Sequence, residues 1–239
     1  MKGINNMKVL AISAHPDDLE ILCAGTLIKF KKQGDEVFTC HVCDGSKGSK
    51  VYSSIELAKM RRNEAIESAN LIGASSIWAG ISDGEVVLDL ASRIKIIDVI
   101  RQASPDLIIT HSPNDYHSDH INTSKLVFEA TYLAGLVLWK TKYPPTGKLP
   151  YLYYMDTLAG VNFVPEEYVD ITDTIDMKVE MMMKMKSQLG WLKEMHSCDA
   201  AEFIKTVARF RGFQAGVEYA EAFVQQKMYP QGLTKRILP

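Results

Sequence analysis

Apolar runs alternate with amphipathic stretches along the first half of the chain. KVLAIS (8–13) is short, aliphatic and followed by turn residues, the pattern of a buried strand. From Asp18 to Lys32 the spacing predicts one helix, with Asp17 and Asp18 at its start, Lys29, Lys31 and Lys32 in its last turn, and Gly34 as its stop. EVFTCHV (36–42) predicts a second strand, Ser54–Leu71 a helix closed by Gly73, and Ser76–Ala79 a short third strand. Leu90–Gln102 follows as a helix broken near Pro105, then DLIITH (106–111) as a buried strand and His120–Ala134 as a helix.

This rhythm implies right-handed crossovers and a mainly parallel sheet covered on both faces, a Rossmann-like three-layer α/β domain. The 140–172 region breaks the pattern with Pro144, Pro145, Pro150 and Pro165, and only LPYLYYMD (149–156) reads as a strand. A variable, partly irregular excursion of this kind is expected to shape a substrate pocket. A helix is predicted from Thr174 to Met195, with Ile175, Val179, Met182, Met185, Leu189 and Leu192 on one stripe. No repeat or domain-separating linker interrupts the sequence, so 1–239 reads as a single domain.

Charge and composition narrow the function. With a net charge of -2, the chain has no basic field to attract nucleic acid or an anionic membrane surface. No apolar run approaches the roughly 20 residues a bilayer span requires. Four scattered cysteines and the lack of an export signal point to a reducing cytoplasm. Cys40 and Cys43 have C-x-x-C spacing without a second pair and read as packed thiols; His196 and Cys198 read as ordinary packing or surface. The Met-rich stripe at 181–185 reads as core or as a subunit contact, and it is one of two grounds for expecting a homo-oligomer.

The chemistry gathers in two segments, Ala14-His15-Pro16-Asp17-Asp18-Leu19-Glu20 and Asn114-Asp115-Tyr116-His117-Ser118-Asp119-His120. Each follows a predicted strand, at the sheet edge where open α/β folds place their sites. Imidazole and carboxylate suit zinc, and a catalytic zinc keeps three protein ligands and one open position. His15 and Asp18 can share an ion from one turn stiffened by Pro16, and His120 is the candidate third ligand. Asp17 then stays off the metal as a general base. His117 faces the open position, with Asp119 beside it to orient it or hold its proton. Taken alone, Asp17 or Asp18 is equally a helix N-cap, and His-x-x-His arises by chance on surface turns. The first turn lacks G-x-G-x-x-G, which counts against the alternative of a nucleotide-binding or regulatory module with a vestigial metal site.

AHPDDLEILCAGTL and HSDH together resemble the two signatures of the LmbE-like, PIG-L-type de-N-acetylases. MRRNEAIESANLIGAS (60–75), ISDGEV (81–86), SPDLIITHSPNDYHSDH (104–120) and RFRGFQAGVEYAEAF (209–223) extend the resemblance over nearly the whole chain. It implies a metal-dependent hydrolase, with Zn2+ or Fe2+, that removes acetyl from N-acetylglucosaminyl compounds to leave acetate and the free amino sugar. The frequent assembly of family members is the second ground for expecting a homo-oligomer. His15, Asp18 and His120 are the implied ligands, Asp17 the implied base, and His117 the implied partner of the oxyanion or proton donor, with Asp119 beside it. Arg61 resembles the family's substrate-binding arginine; Arg62 is adjacent, and a solvated basic face with Lys59 is the other reading. Tyr116, Ser118, Leu22 and Ala24 depart from the family pattern around the site, which bears on the substrate.

Overall fold

The computed structural model describes residues 6–196 and 199–231, except for the side chains of Trp191 and of residues 194–196. The sequence readings at the His196 side chain and at Cys198 therefore lie outside what the structure describes. A seven-stranded sheet has the order β3-β2-β1-β4-β5-β7-β6. Its strands are β1 (Lys8–Ser13), β2 (Glu36–Cys43), β3 (Ser75–Ile81), β4 (Leu107–Thr110), β5 (Tyr151–Met155), β6 (Glu167–Asp170) and β7 (Ala220–Gln226). Pairing is parallel from β3 through β5, while β7 runs antiparallel to both of its neighbours.

Alternate residues of β1 feed two cores, as the pleat of a doubly covered strand requires. Leu10 and Ile12 pack toward α4 (Leu90–Ala103) and α5 (Ser118–Leu133). Val9 and Ala11 pack toward α1 (Asp18–Leu22), α2 (Ala24–Lys32), α3 (Ser54–Leu71), α6 (Ile175–Met182) and α8 (Ala200–Ala215). The fold is thus the expected three-layer α/β sandwich. Strand order reverses between β1 and β4, whose register pairs Ile12 with Thr110. The loops after these two strands therefore emerge side by side at the switch point, a crevice where such sheets bind ligands.

Two predicted helices are each divided in two. The helix expected over 18–32 breaks at Cys23 (φ -144°, ψ 5°). The cause is Glu221 of β7, whose carboxylate accepts the Gly25 and Thr26 N–H groups at 2.9 and 2.7 Å and gives α2 its own N-terminus. The carboxylate is also paired with buried Lys178 of α6. The helix expected over 174–195 divides into α6 and α7 (Lys186–His196). Met181, Met182 and Met185 are fully buried in this chain's own core, which removes the reason for placing a subunit contact there. Cys40 and Cys43 are buried free thiols, as read from the sequence.

Candidate metal centre and cleft

The β1 loop carries His15 to Asp17 and runs into α1 at Asp18, while the β4 loop carries Asp115 to His117 and runs into α5. His15 Nδ1 lies 3.3 Å from His120 Nε2 and 3.6 Å from Asp18 Oδ2, and His120 Nε2 lies 3.4 Å from Asp18 Oδ1. Ligand atoms about 2.0–2.1 Å from a tetrahedral zinc stand about 3.3–3.4 Å apart. The two histidine nitrogens meet that spacing, each histidine faces a different oxygen of Asp18, and the ligand atoms of His117 and His111 lie within 4.8 Å of members of the same cluster.

Each imidazole is also held from behind. His120 Nδ1 meets Asp115 Oδ2 at 3.0 Å, and His15 Nε2 meets Asp119 Oδ2 at 3.1 Å. A carboxylate on the far nitrogen draws the proton there and leaves the near nitrogen's lone pair free for a metal. Asp115 is fixed in turn by the Tyr116 and His117 N–H groups at 2.7 and 3.0 Å, and Asp119 by the Gly84 N–H at 2.7 Å. Burial opposes a charge on His120, but Asp18 and Asp115 outweigh it and raise its pKa to about 9. The ion pairs found for Asp18, Asp115 and Asp119 among the described residues all go to histidines. So much buried carboxylate around imidazole is an environment built for a cation, and the donor set fits a divalent metal.

Asp119 therefore differs from its sequence reading. Its carboxylate lies on His15, and only its backbone N–H touches His117, donating to Nδ1 at 3.2 Å. With Nδ1 accepting, neutral His117 carries its proton on Nε2. Its ring stands 4.9 Å from that of His15 and 4.7 Å from that of His120. His111, at the end of the predicted strand, stacks on His120 with centroids 3.9 Å apart. Its Nε2 accepts the Ala14 N–H at 2.9 Å, so it braces the centre from behind.

Asp17 occupies the N-cap position of α1 without making a side-chain cap, which sets the capping alternative aside. Its φ of 121° is a conformation that non-glycine residues rarely hold, and such strain persists where the surroundings impose it. Burial, and then the Asp18 carboxylate, push its carboxyl well above the usual carboxylate range. Asp17 and Asp18 form the floor of a cavity of about 480 Å³, walled by Ile21, Leu158, Val161, Leu192 and Phe203, with Tyr116 and two alanines. The 140–172 region thus supplies part of this wall.

Arg61 is buried and Arg62 exposed, so the solvated-face reading fails for Arg61. Its guanidinium donates to Gly48 O at 3.0 Å and to Gln188 Oε1 at 2.5 Å, and Gln188 donates to Pro16 O at 2.8 Å. Arg61 does not line the cavity; it holds the His15–Asp18 turn through Gln188. Arg61→Ala is accordingly expected to lose about 1.5–3 kcal/mol of stability along with turnover. A urea midpoint equal to the parent's, with turnover reduced, would show instead that Arg61 acts on substrate alone.

The sequence reading assigned no role to Asp115. The available signal was a carboxylate five residues before a candidate histidine ligand, within the same segment.

Comparison with known proteins agrees with this arrangement. Residues 10–131 match the PIG-L family, described as GlcNAc-PI de-N-acetylase. The diacetylchitobiose deacetylase of Thermococcus kodakarensis is 30% identical over 228 residues, 90% of this chain and 81% of that protein. The 4-oxalmesaconate hydratase of Pseudomonas putida is 26% identical over 234 residues, 94% of this chain and 87% of that protein. A structure of N,N'-diacetylchitobiose deacetylase from Pyrococcus horikoshii superposes with a TM-score of 0.81 at 28% identity, covering 95% of this chain and 88% of that one. With its two signature loops meeting at the switch point and its matched segment spanning both, this chain belongs to the PIG-L family of de-N-acetylases.

Proposed function

We propose that this chain hydrolyses the acetamide of an N-acetylglucosamine-type compound, releasing acetate and the free amine, with Zn2+ or Fe2+ held by His15, Asp18 and His120. The observation that carries the reading is the convergence of those three groups beside an aspartate, Asp17, that faces the cavity without joining them. The ion supplies a Lewis acid for the amide carbonyl and for the attacking water. Asp17 accepts the proton of that water as the new C–O bond forms. The Nε2–H of His117 donates to the oxyanion that develops on the carbonyl oxygen. The C–N bond then breaks as its nitrogen takes up the proton that Asp17 accepted, which leaves acetate and the free amine and returns Asp17 to its carboxylate. Asp115 and Asp119 keep the two imidazoles turned toward the ion.

The hydratase relative raises the alternative of water addition to an anionic polycarboxylate. Among the described residues no lysine or arginine lines the cavity, so the described walls offer no cationic side chain to hold such a substrate, and amide hydrolysis suits them better.

The test is acetate release from a panel of N-acetylglucosaminides by metal-reconstituted protein. Chelation should abolish it, and added Zn2+ or Fe2+ should restore it. Full activity in protein shown to be metal-free, or hydration of 4-oxalmesaconate with no amide cleaved, would refute the reading. Asp115→Ala leaves His120 without its rear partner and is expected to weaken metal affinity about 10–100-fold. Competition with a chromophoric chelator measures this directly, and unchanged affinity would remove Asp115 from the centre.

A further inference from the structure

The cavity over Asp17 and Asp18 has a polar floor and apolar walls. Among the described residues that line it, only Asp17, Asp18 and Tyr116 carry polar side-chain atoms. A sugar hydroxyl that leaves water without a partner is costly, and these walls give such hydroxyls almost nothing to bond. Its volume of about 480 Å³ lies within the roughly 300–1,000 Å³ of small-molecule sites and exceeds what an acetyl group needs.

The wall is also held in place. Leu158 opens a 3-10 turn (Leu158–Gly160) and Val161 follows it as the C-cap; the base of the turn is clamped by Asp156 and Arg211. Arg211 donates to the two oxygens of Asp156 at 2.6 and 3.0 Å, and Asp156 accepts the Thr157 N–H at 2.8 Å. Gly160 turns through φ 73° against this guanidinium, and a Cβ there would lie 2.6 Å from it. Val161, which lines the cavity, is 45% exposed although its turn is fixed, so apolar area stands open before any ligand arrives. A rigid, exposed apolar wall binds an apolar group with little ordering cost.

We propose that the substrate carries an alkyl or aromatic group beside the scissile amide, and that this group packs against Leu158, Val161, Leu192 and Phe203. The proposal rests on the hydrolase reading above. The group can enter on the acid side, as an acyl chain longer than acetyl, or on the amine side, as an apolar aglycone.

Two substrate series separate these sources, with kcat/KM read from amine release. One is glucosamine N-acylated with acetyl, butanoyl and hexanoyl. The other is the methyl, butyl and phenyl glycosides of N-acetylglucosamine. One series is expected to rise about fourfold per methylene until the cavity fills, and the rising series identifies the side. Val161→Ser, at an exposed position that folding tolerates, and Leu192→Ser are expected to flatten that slope. Affinities for the same compounds are measured by calorimetry on Asp17→Asn. Hydrolysis with flat slopes in both series overturns the apolar cleft and leaves the hydrolase reading standing. Absence of hydrolysis with affinity that climbs with apolar size does the reverse, and flat affinity with no hydrolysis removes both.

Discussion

Asp17→Asn is expected to keep its metal and lose about 10²–10⁴ in turnover, whereas Asp18→Ala is expected to lose metal and activity together. Two adjacent aspartates of identical chemistry separate here by geometry alone. Asp18 turns both oxygens toward histidines and accepts the His15 N–H at 2.7 Å. Asp17, held at φ 121°, faces the cavity instead. Asparagine preserves the shape of Asp17 and tolerates its unusual backbone, but it cannot accept a proton from water. Metal analysis and acetate release on both variants decide the matter. Asp17→Gly supplies a control, because glycine relieves the strained φ at the same time as it removes the carboxylate. It should melt no lower than the parent while remaining inactive. Loss of metal from Asp17→Asn, or substantial residual turnover, would mean that the roles of the pair are wrongly assigned.

The second large effect lies away from the chemistry. Lys178 and Glu221 form an ion pair in which each side chain is only 2% exposed. Removing one member of such a pair leaves an uncompensated buried charge and typically costs about 3–5 kcal/mol. Lys178→Met is therefore expected to lower the melting temperature by about 6–20 °C for a chain of this size. Glu221→Leu should cost at least as much, because it strands the Gly25 and Thr26 N–H groups as well as the lysine. Calorimetric melting of the two variants tests this, and a Lys178→Met protein as stable as its parent would contradict it.

Glu221 also shows where the sequence could be read and where it could not. Strands β1, β2 and β4 and helix α3 followed from local apolar runs, caps and stops, because their determinants lie within the segments themselves. The break at Cys23 did not, since its cause is a carboxylate 196 residues beyond the Gly25 N–H that it binds. The antiparallel strand β7, and with it β6 and α8, likewise lacked a local signature strong enough to name. In the site, His15, Asp17, Asp18, His117 and His120 stood out because two dense segments follow two strands. The partner of each residue was less accessible. Asp119 reaches back to His15, 104 residues away, rather than to the histidine two positions before it. Arg61 sits on a helix whose phase alone could not separate it from Arg62; the packing of Gly45 and Gly48 against its side chain and its hydrogen bond to Gln188 make it internal.

The dependence of α2 on Glu221 has a kinetic consequence. Helix α2, which follows α1 and the candidate metal-binding turn, is not fully satisfied until a strand near the far end of the chain has docked. Contacts of such sequence separation close late, because loop entropy is spent before they form. During synthesis the early β-α units can collapse on one another, yet the turn from His15 to Cys23 lacks its final anchor until residues 220–226 are in place. Competence to hold the metal is therefore expected to arise in the last stage of folding, so that a partly made chain presents loosely held ligands rather than a finished centre.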